Sequence, residues 1–110
     1  MIKIYKITAM ASTFKSFMLK VYEFDIEKDT PKQYTVNNNG RIKKSEMDKI
    51  TDHGTSFHNQ YNIFTTDKSL VDGYKMQLLK KFEDHYRVEK VRVDRGLENV
   101  MDMIDKLENK

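Results

Sequence analysis

Two short runs hold the residues best suited to chemistry, Asp52-His53 and His58-Asn59, which flank a loop. Imidazole beside carboxylate suits a divalent cation or proton transfer near neutral pH. The spacing argues against a centre. Only four residues separate the two histidines and the chain has no cysteine. A catalytic metal wants three protein ligands and an open position. The pair therefore reads as polar loop side chains, and His85 as a side chain on a helix. No metal or cofactor is expected. Disulfides, thiolate ligands and cysteine nucleophiles are excluded outright.

Other catalytic signatures are missing too. No Gly-x-Ser-x-Gly elbow occurs, and the four glycines stand singly at 40, 54, 73 and 96, so no phosphate-cradling loop exists. The chain is not expected to be an enzyme. Glu23, Asp25, Glu27 and Asp29 recur at period 2 and would share one face of a strand. A cation site is one reading of them. The favoured one is a charged, solvated edge strand, a common device against edge-to-edge pairing.

Basic residues form two clusters. Arg41, Lys43, Lys44 and Lys49 lie in the first, Arg87, Lys90, Arg92 and Arg95 in the second. On a helix, positions 87, 91 and 95 share a face, so Arg87 and Arg95 would bridge phosphates two turns apart. Tyr34, Tyr61 or Phe57 would add stacking surfaces. Against this stand Glu46, Asp48, Glu89 and Asp94, and a net charge of only +3. Residues 1–66 hold ten Lys/Arg against seven Asp/Glu, and residues 67–110 hold ten against ten. Nucleic-acid binding through 41–49 and 87–95 is therefore the alternative reading, and solvated faces the favoured one.

The elements that must position these residues change character at Thr65-Thr66-Asp67. Upstream, apolar residues fall two apart; downstream, they fall three and four apart. The expected fold is α+β: one domain, 1–110, with a β-rich half to residue 66 and a helical half from 67. Strands are expected from Ile2 to about Ala11 and from Phe14 to Ile26, with a turn at Ser12-Thr13. A hairpin joins Gln33–Asn37 to Arg41–Lys43 across Asn39-Gly40, whose residues tolerate positive φ. A helical turn capped by Ser45 would cover 45–50, residues 51–56 would be loop, and Phe57 to Thr65 a last strand, polar on the His58, Gln60 and Asn62 side. That makes an antiparallel meander of three or four strands. A long C-terminal helix follows, kinked near Gly96 or split in two, with a short strand at 87–93 as the competing assignment.

Beyond Tyr86, the positions Lys90, Val93, Leu97, Val100, Ile104 and Leu107 step by three and four, a heptad seam with one lysine in it. A helix of forty residues spans about 60 Å, more than a small sheet covers. The seam at Val93, Leu97, Val100, Ile104 and Leu107 is thus either domain core or a contact for a partner or a second copy.

The strands leading into Arg41-Ile42-Lys43-Lys44-Ser45-Glu46-Met47, then Ile63-Phe64-Thr65-Thr66-Asp67 and a long charged helix, resemble small uncharacterised proteins of phages and prophages over residues 33–110. The resemblance implies a non-catalytic accessory protein that binds a host factor or defence system and inhibits or modulates it. The first eight residues alternate lysine with apolar side chains, unlike a signal peptide, and no stretch of about 20 apolar residues occurs. The expectation is a cytoplasmic protein with a protein partner, a homodimer among the candidates, and no membrane contact.

Overall fold

The computed structural model describes residues 2–12, 17–37, 40–55 and 58–109. It is α+β, with six strands where three or four were expected. The strands are β1 (Lys3–Ser12), β2 (Met18–Asp29), β3 (Gln33–Val36), β4 (Gly40–Lys43), β5 (Thr51–Asp52) and β6 (His58–Thr65), and one helix follows, α1 (Val71–Glu108). All strand pairs are antiparallel, in the order β4-β3-β2-β1-β6-β5. The chain divides into two units, residues 1–78 with the sheet and the first turns of α1, and residues 79–110.

Alternation along β1 sets the sheet's two faces. Ile4 joins Phe24 across β2, while Ile7 and Ala9 look the other way beside Ile63 and Tyr61 of β6. The first face builds a core of Ile4, Val36, Ile42 and Phe64, with Phe24, Ile26, Tyr34 and Met47 packed on it. Each large aliphatic side chain buried there contributes about 1.5–3 kcal/mol. Five strands, β1 to β4 and β6, supply these residues, so the sheet curls around them. Met47 completes the curl by bridging to Phe64, and the Asp48 amide donates to the Phe64 carbonyl at 2.7 Å.

That bridge corrects one expectation. Residues 45–50 do not form a helical turn capped by Ser45. A short 3-10 turn covers Lys44–Glu46 with no side-chain cap, after which Met47 is extended. A continued helix would pull Met47 out of the core and remove the Asp48 amide from β6. Asp48 itself takes a left-handed φ of 58°, which aspartate tolerates better than most residues.

Two further corrections concern strands. Thr51 and Asp52, expected in a loop, pair with Asn62 and Tyr61 as β5. Two residues are too few to show a period. The acidic strand is not an edge either, because β2 lies between β1 and β3. Nor do its carboxylates share one face. A bulge between Ile26 and Lys28 shifts the register, so Asp29 stands opposite Tyr34 just as Ile26 stands opposite Val36. One extra residue reverses the alternation. Asp29 therefore pairs with Lys44 at 2.5 Å, whose Nζ lies 4.7 Å from the Tyr34 ring centre, while Glu23 pairs with Lys3.

The β3–β4 hairpin joins the expected segments, but Gly40, expected in the turn, is the first residue of β4 and stands opposite Val36 at φ +74°. Asn39 lies outside the described residues, as do Thr13, Phe14 and Phe57. At the period change, the Asp67 carboxylate accepts the Ser69 amide at 2.9 Å and starts a 3-10 turn, Lys68–Leu70, that runs into α1. The helix is unbroken from Val71 to Glu108, which settles residues 87–93 as helix and leaves neither a second helix nor a break at Gly96. Among the described residues, no helix is long and apolar enough to cross a membrane.

Candidate interaction surface

The buried apolar residues of α1 all lie in its first turns, and the exposed seam lies beyond them. Val71 and Leu78 are buried in the first unit, and there the Tyr74 hydroxyl donates to the Asp48 carboxylate at 2.9 Å. Burial, then the Asp48 carboxylate, raises the Tyr74 pKa above its ordinary value. In the second unit Phe82 is buried, with its ring against those of His85 and Tyr86. From Glu83 to Asn109 no described residue is buried.

The seam lies wholly in that last stretch. Val93, Leu97, Val100, Ile104 and Leu107 are between 48% and 68% exposed. Their exposure leaves them outside the buried core of the single chain. Positions three and four apart lie on one helix face, so the five make a continuous apolar stripe. Met101 and Met103, 58% and 65% exposed, flank it. Sequence reasoning missed both. With Leu97 and Ile104 at heptad position a, they fall at e and g, and assigning the full heptad would have found them.

The basic residues do not converge. Arg41 and Lys43 are exposed on either side of buried Ile42 on β4. Lys43 and Lys44 line a surface groove with Pro31, Lys32, Gln33 and Ser45, and neither Arg41 nor exposed Lys49 lines it. The hydrogen bond to Asp29 is the main cause of a raised Lys44 pKa. On α1, Arg87, Val91 and Arg95 share a face as the helical spacing required, and with Val88 and Arg92 they line a shallow groove. Arg87 pairs with Glu83 at 2.8 Å and Arg92 with Glu89. That hydrogen bond lowers the Glu89 pKa and raises that of Arg92. Tyr34 is packed against the first unit's core, so it is not free to stack on bases.

The chemistry-bearing loop is occupied locally. The Asp52 carboxylate accepts the Gly54 amide at 2.8 Å, Thr51 Oγ1 lies 3.0 Å from His53 Nε2, and Thr55 Oγ1 lies 3.0 Å from His58 Nδ1. Each histidine is engaged by a neighbouring threonine, and Asp52 folds back into its own turn.

The third polar feature was unexpected. Asn62, assigned from the alternation to an outer polar side, is 3% exposed, and its amide oxygen accepts the Thr8 hydroxyl at 2.8 Å and the Gln60 amide at 3.4 Å. Thr8 and Asn62 stand directly opposite each other on β1 and β6. Beside them Lys6, Met18, Tyr22 and Gln60 line an open groove, with Lys6 Nζ 5.6 Å from the Tyr22 ring centre.

Comparison with protein-family models, curated proteins and solved structures returned no match.

Proposed function

We propose that this chain is a small non-catalytic accessory protein, of the phage type that its sequence resembles, which acts by binding another protein through the exposed face of its helix and so modulates a host factor or defence. The observation carrying this reading is the stripe Val93, Leu97, Val100, Ile104 and Leu107, every member about half exposed or more. An apolar face of that length in water is a partner site by its energetics. The local engagement of Asp52, His53 and His58 is consistent with a protein whose work is done by its surface.

The test is capture from host lysate by immobilised protein, run beside a Leu97→Glu, Ile104→Glu variant. Specific proteins retained by the parent and lost by the variant support the reading. Equal capture by both, or none by the parent, refutes it.

Nucleic-acid binding is the second reading, favoured by the placement of Arg87, Arg92 and Arg95 around one groove. Pairing of two of them with glutamates weakens it. It requires retention on DNA or RNA at low salt that falls steeply as salt rises.

A further inference from the structure

The seam's flanking charges say what covers it. Residues 87–95 carry four basic side chains (Arg87, Lys90, Arg92, Arg95) against two acidic ones, Glu89 and Asp94. Residues 98–108 reverse the balance: Glu98, Asp102, Asp105 and Glu108 against the single Lys106. The exposed part of α1 is thus a basic segment followed by an acidic one, with the apolar stripe running along both.

We propose that the seam is covered by the same segment of a second copy of this chain, running antiparallel and centred between Glu98 and Asn99. The inference rests on the reading of the seam as a protein-binding face and specifies its occupant. In antiparallel helix pairs, an a residue of one strand meets a d residue of the other. The centred register sets Val93 of one copy against Ile104 of the other and Leu97 against Val100. The two-fold axis repeats both contacts, giving four apolar layers. The same register lays the basic segment of each copy along the acidic segment of its mate, and at the flanking e positions Arg87 lies beside Glu108. Lys90, the one charge within the seam, falls opposite Leu107, close enough to Glu108 to extend its ammonium there.

The competing arrangements fail on charge. A parallel pair stacks Lys90 on Lys90 at the core and sets Glu89 beside Asp94 at the flanking positions, like against like on both counts. Sliding the antiparallel pair one heptad toward the C-terminus keeps four apolar layers, but it centres the pair on Asp102, level with its own counterpart, and brings Asp94 beside Glu108 at the flank. Only the centred register satisfies the apolar and electrostatic patterns together. Met101 and Met103 then cover the flanks of the four layers; methionine is the side chain best able to fill the irregular space beside Gly96.

The absence of cysteine makes the test direct. Single variants Val93→Cys and Ile104→Cys are prepared in the full chain and oxidised separately and mixed. In the centred antiparallel pair, each position lies about 16 Å from its own counterpart (11 residues at about 1.5 Å). That is too far for a disulfide, which needs Cα atoms within about 7 Å. Positions 93 and 104 of opposite copies are adjacent. The expected result is a mixed disulfide dimer from the mixture and none from either variant alone. Light scattering of the parent should give twice the chain mass, falling to one chain mass in Leu97→Glu, Ile104→Glu with helix content retained. Disulfides within each single variant would overturn the antiparallel register. A monomer at high micromolar concentration would overturn self-pairing altogether. A monomeric parent that still captures host proteins through Leu97 and Ile104 would assign the seam to a host partner instead, whereas a dimeric parent that captures none would refute the host-partner reading and keep this one.

Discussion

Thr8 and Asn62 allow the sharpest quantitative test of the sheet. Both are almost fully buried, and the 2.8 Å bond between them crosses from β1 to β6. Thr8→Val keeps the shape and removes only the hydroxyl. The Asn62 oxygen is then left with the Gln60 amide at 3.4 Å, a poor substitute at that length. A buried acceptor stripped of its main donor costs about 1–3 kcal/mol. With a urea m-value of about 1–2 kcal/mol/M for a chain of this size, the unfolding midpoint should fall by about 1 M. Replacing both partners, as Thr8→Val with Asn62→Leu, removes the unmet acceptor along with the donor. The double variant should therefore be more stable than the two single effects predict, by a coupling of about 0.5–3 kcal/mol. Urea titrations followed by tyrosine fluorescence and circular dichroism, at one fixed protein concentration, measure all four corners of the cycle. An unchanged midpoint in Thr8→Val, or singles that simply add, would show that the bond is not holding β1 to β6.

Other substitutions probe the helix. Leu78 is fully buried, so Leu78→Ala should cost about 2–5 kcal/mol, read as a lower thermal midpoint. Gly73 sits inside α1 with nothing within 4 Å of where a Cβ would be, so Gly73→Ala should stabilise by up to about 1 kcal/mol. The Ser69 hydroxyl and amide hold the Asp67 pKa below its ordinary 3.8. A lowered carboxylate pKa stabilises above the unfolded value and loses that contribution as pH falls through the folded one. Thermal midpoints should therefore drop below about pH 4 more steeply in the parent than in Asp67→Ala; equal slopes would remove the cap from the account.

Much of the architecture was legible because it is periodic. The switch at Thr65-Thr66-Asp67 located the end of β6 and the cap of the helix, and the step pattern from Tyr86 onward kept α1 continuous through the valines at 88, 91 and 93. What escaped was short or aperiodic. β5 has two residues, and the bulge at Glu27 moves Asp29 across the sheet without any mark in the alternation. Asn62 was misplaced because alternation assigns a residue to a face but not a solvent to that face; a curled sheet buries both. The seam was visible, but whether α1 left it uncovered was not, since that depends on how much of the helix the sheet residues occupy.

The outer strands bear on a different question, how an open sheet keeps from polymerising. β5 is too short to template another strand, and beyond it Met47 and Asp48 occupy the free side of β6 at Phe64. That leaves β4, four residues long and exposed at Arg41 and Lys43. A second sheet docking there edge-on would meet those cations at close range, and two β4 edges would bring them against each other. The same side chains that first suggested a phosphate-binding surface thus serve as gatekeepers of the sheet's outer strand.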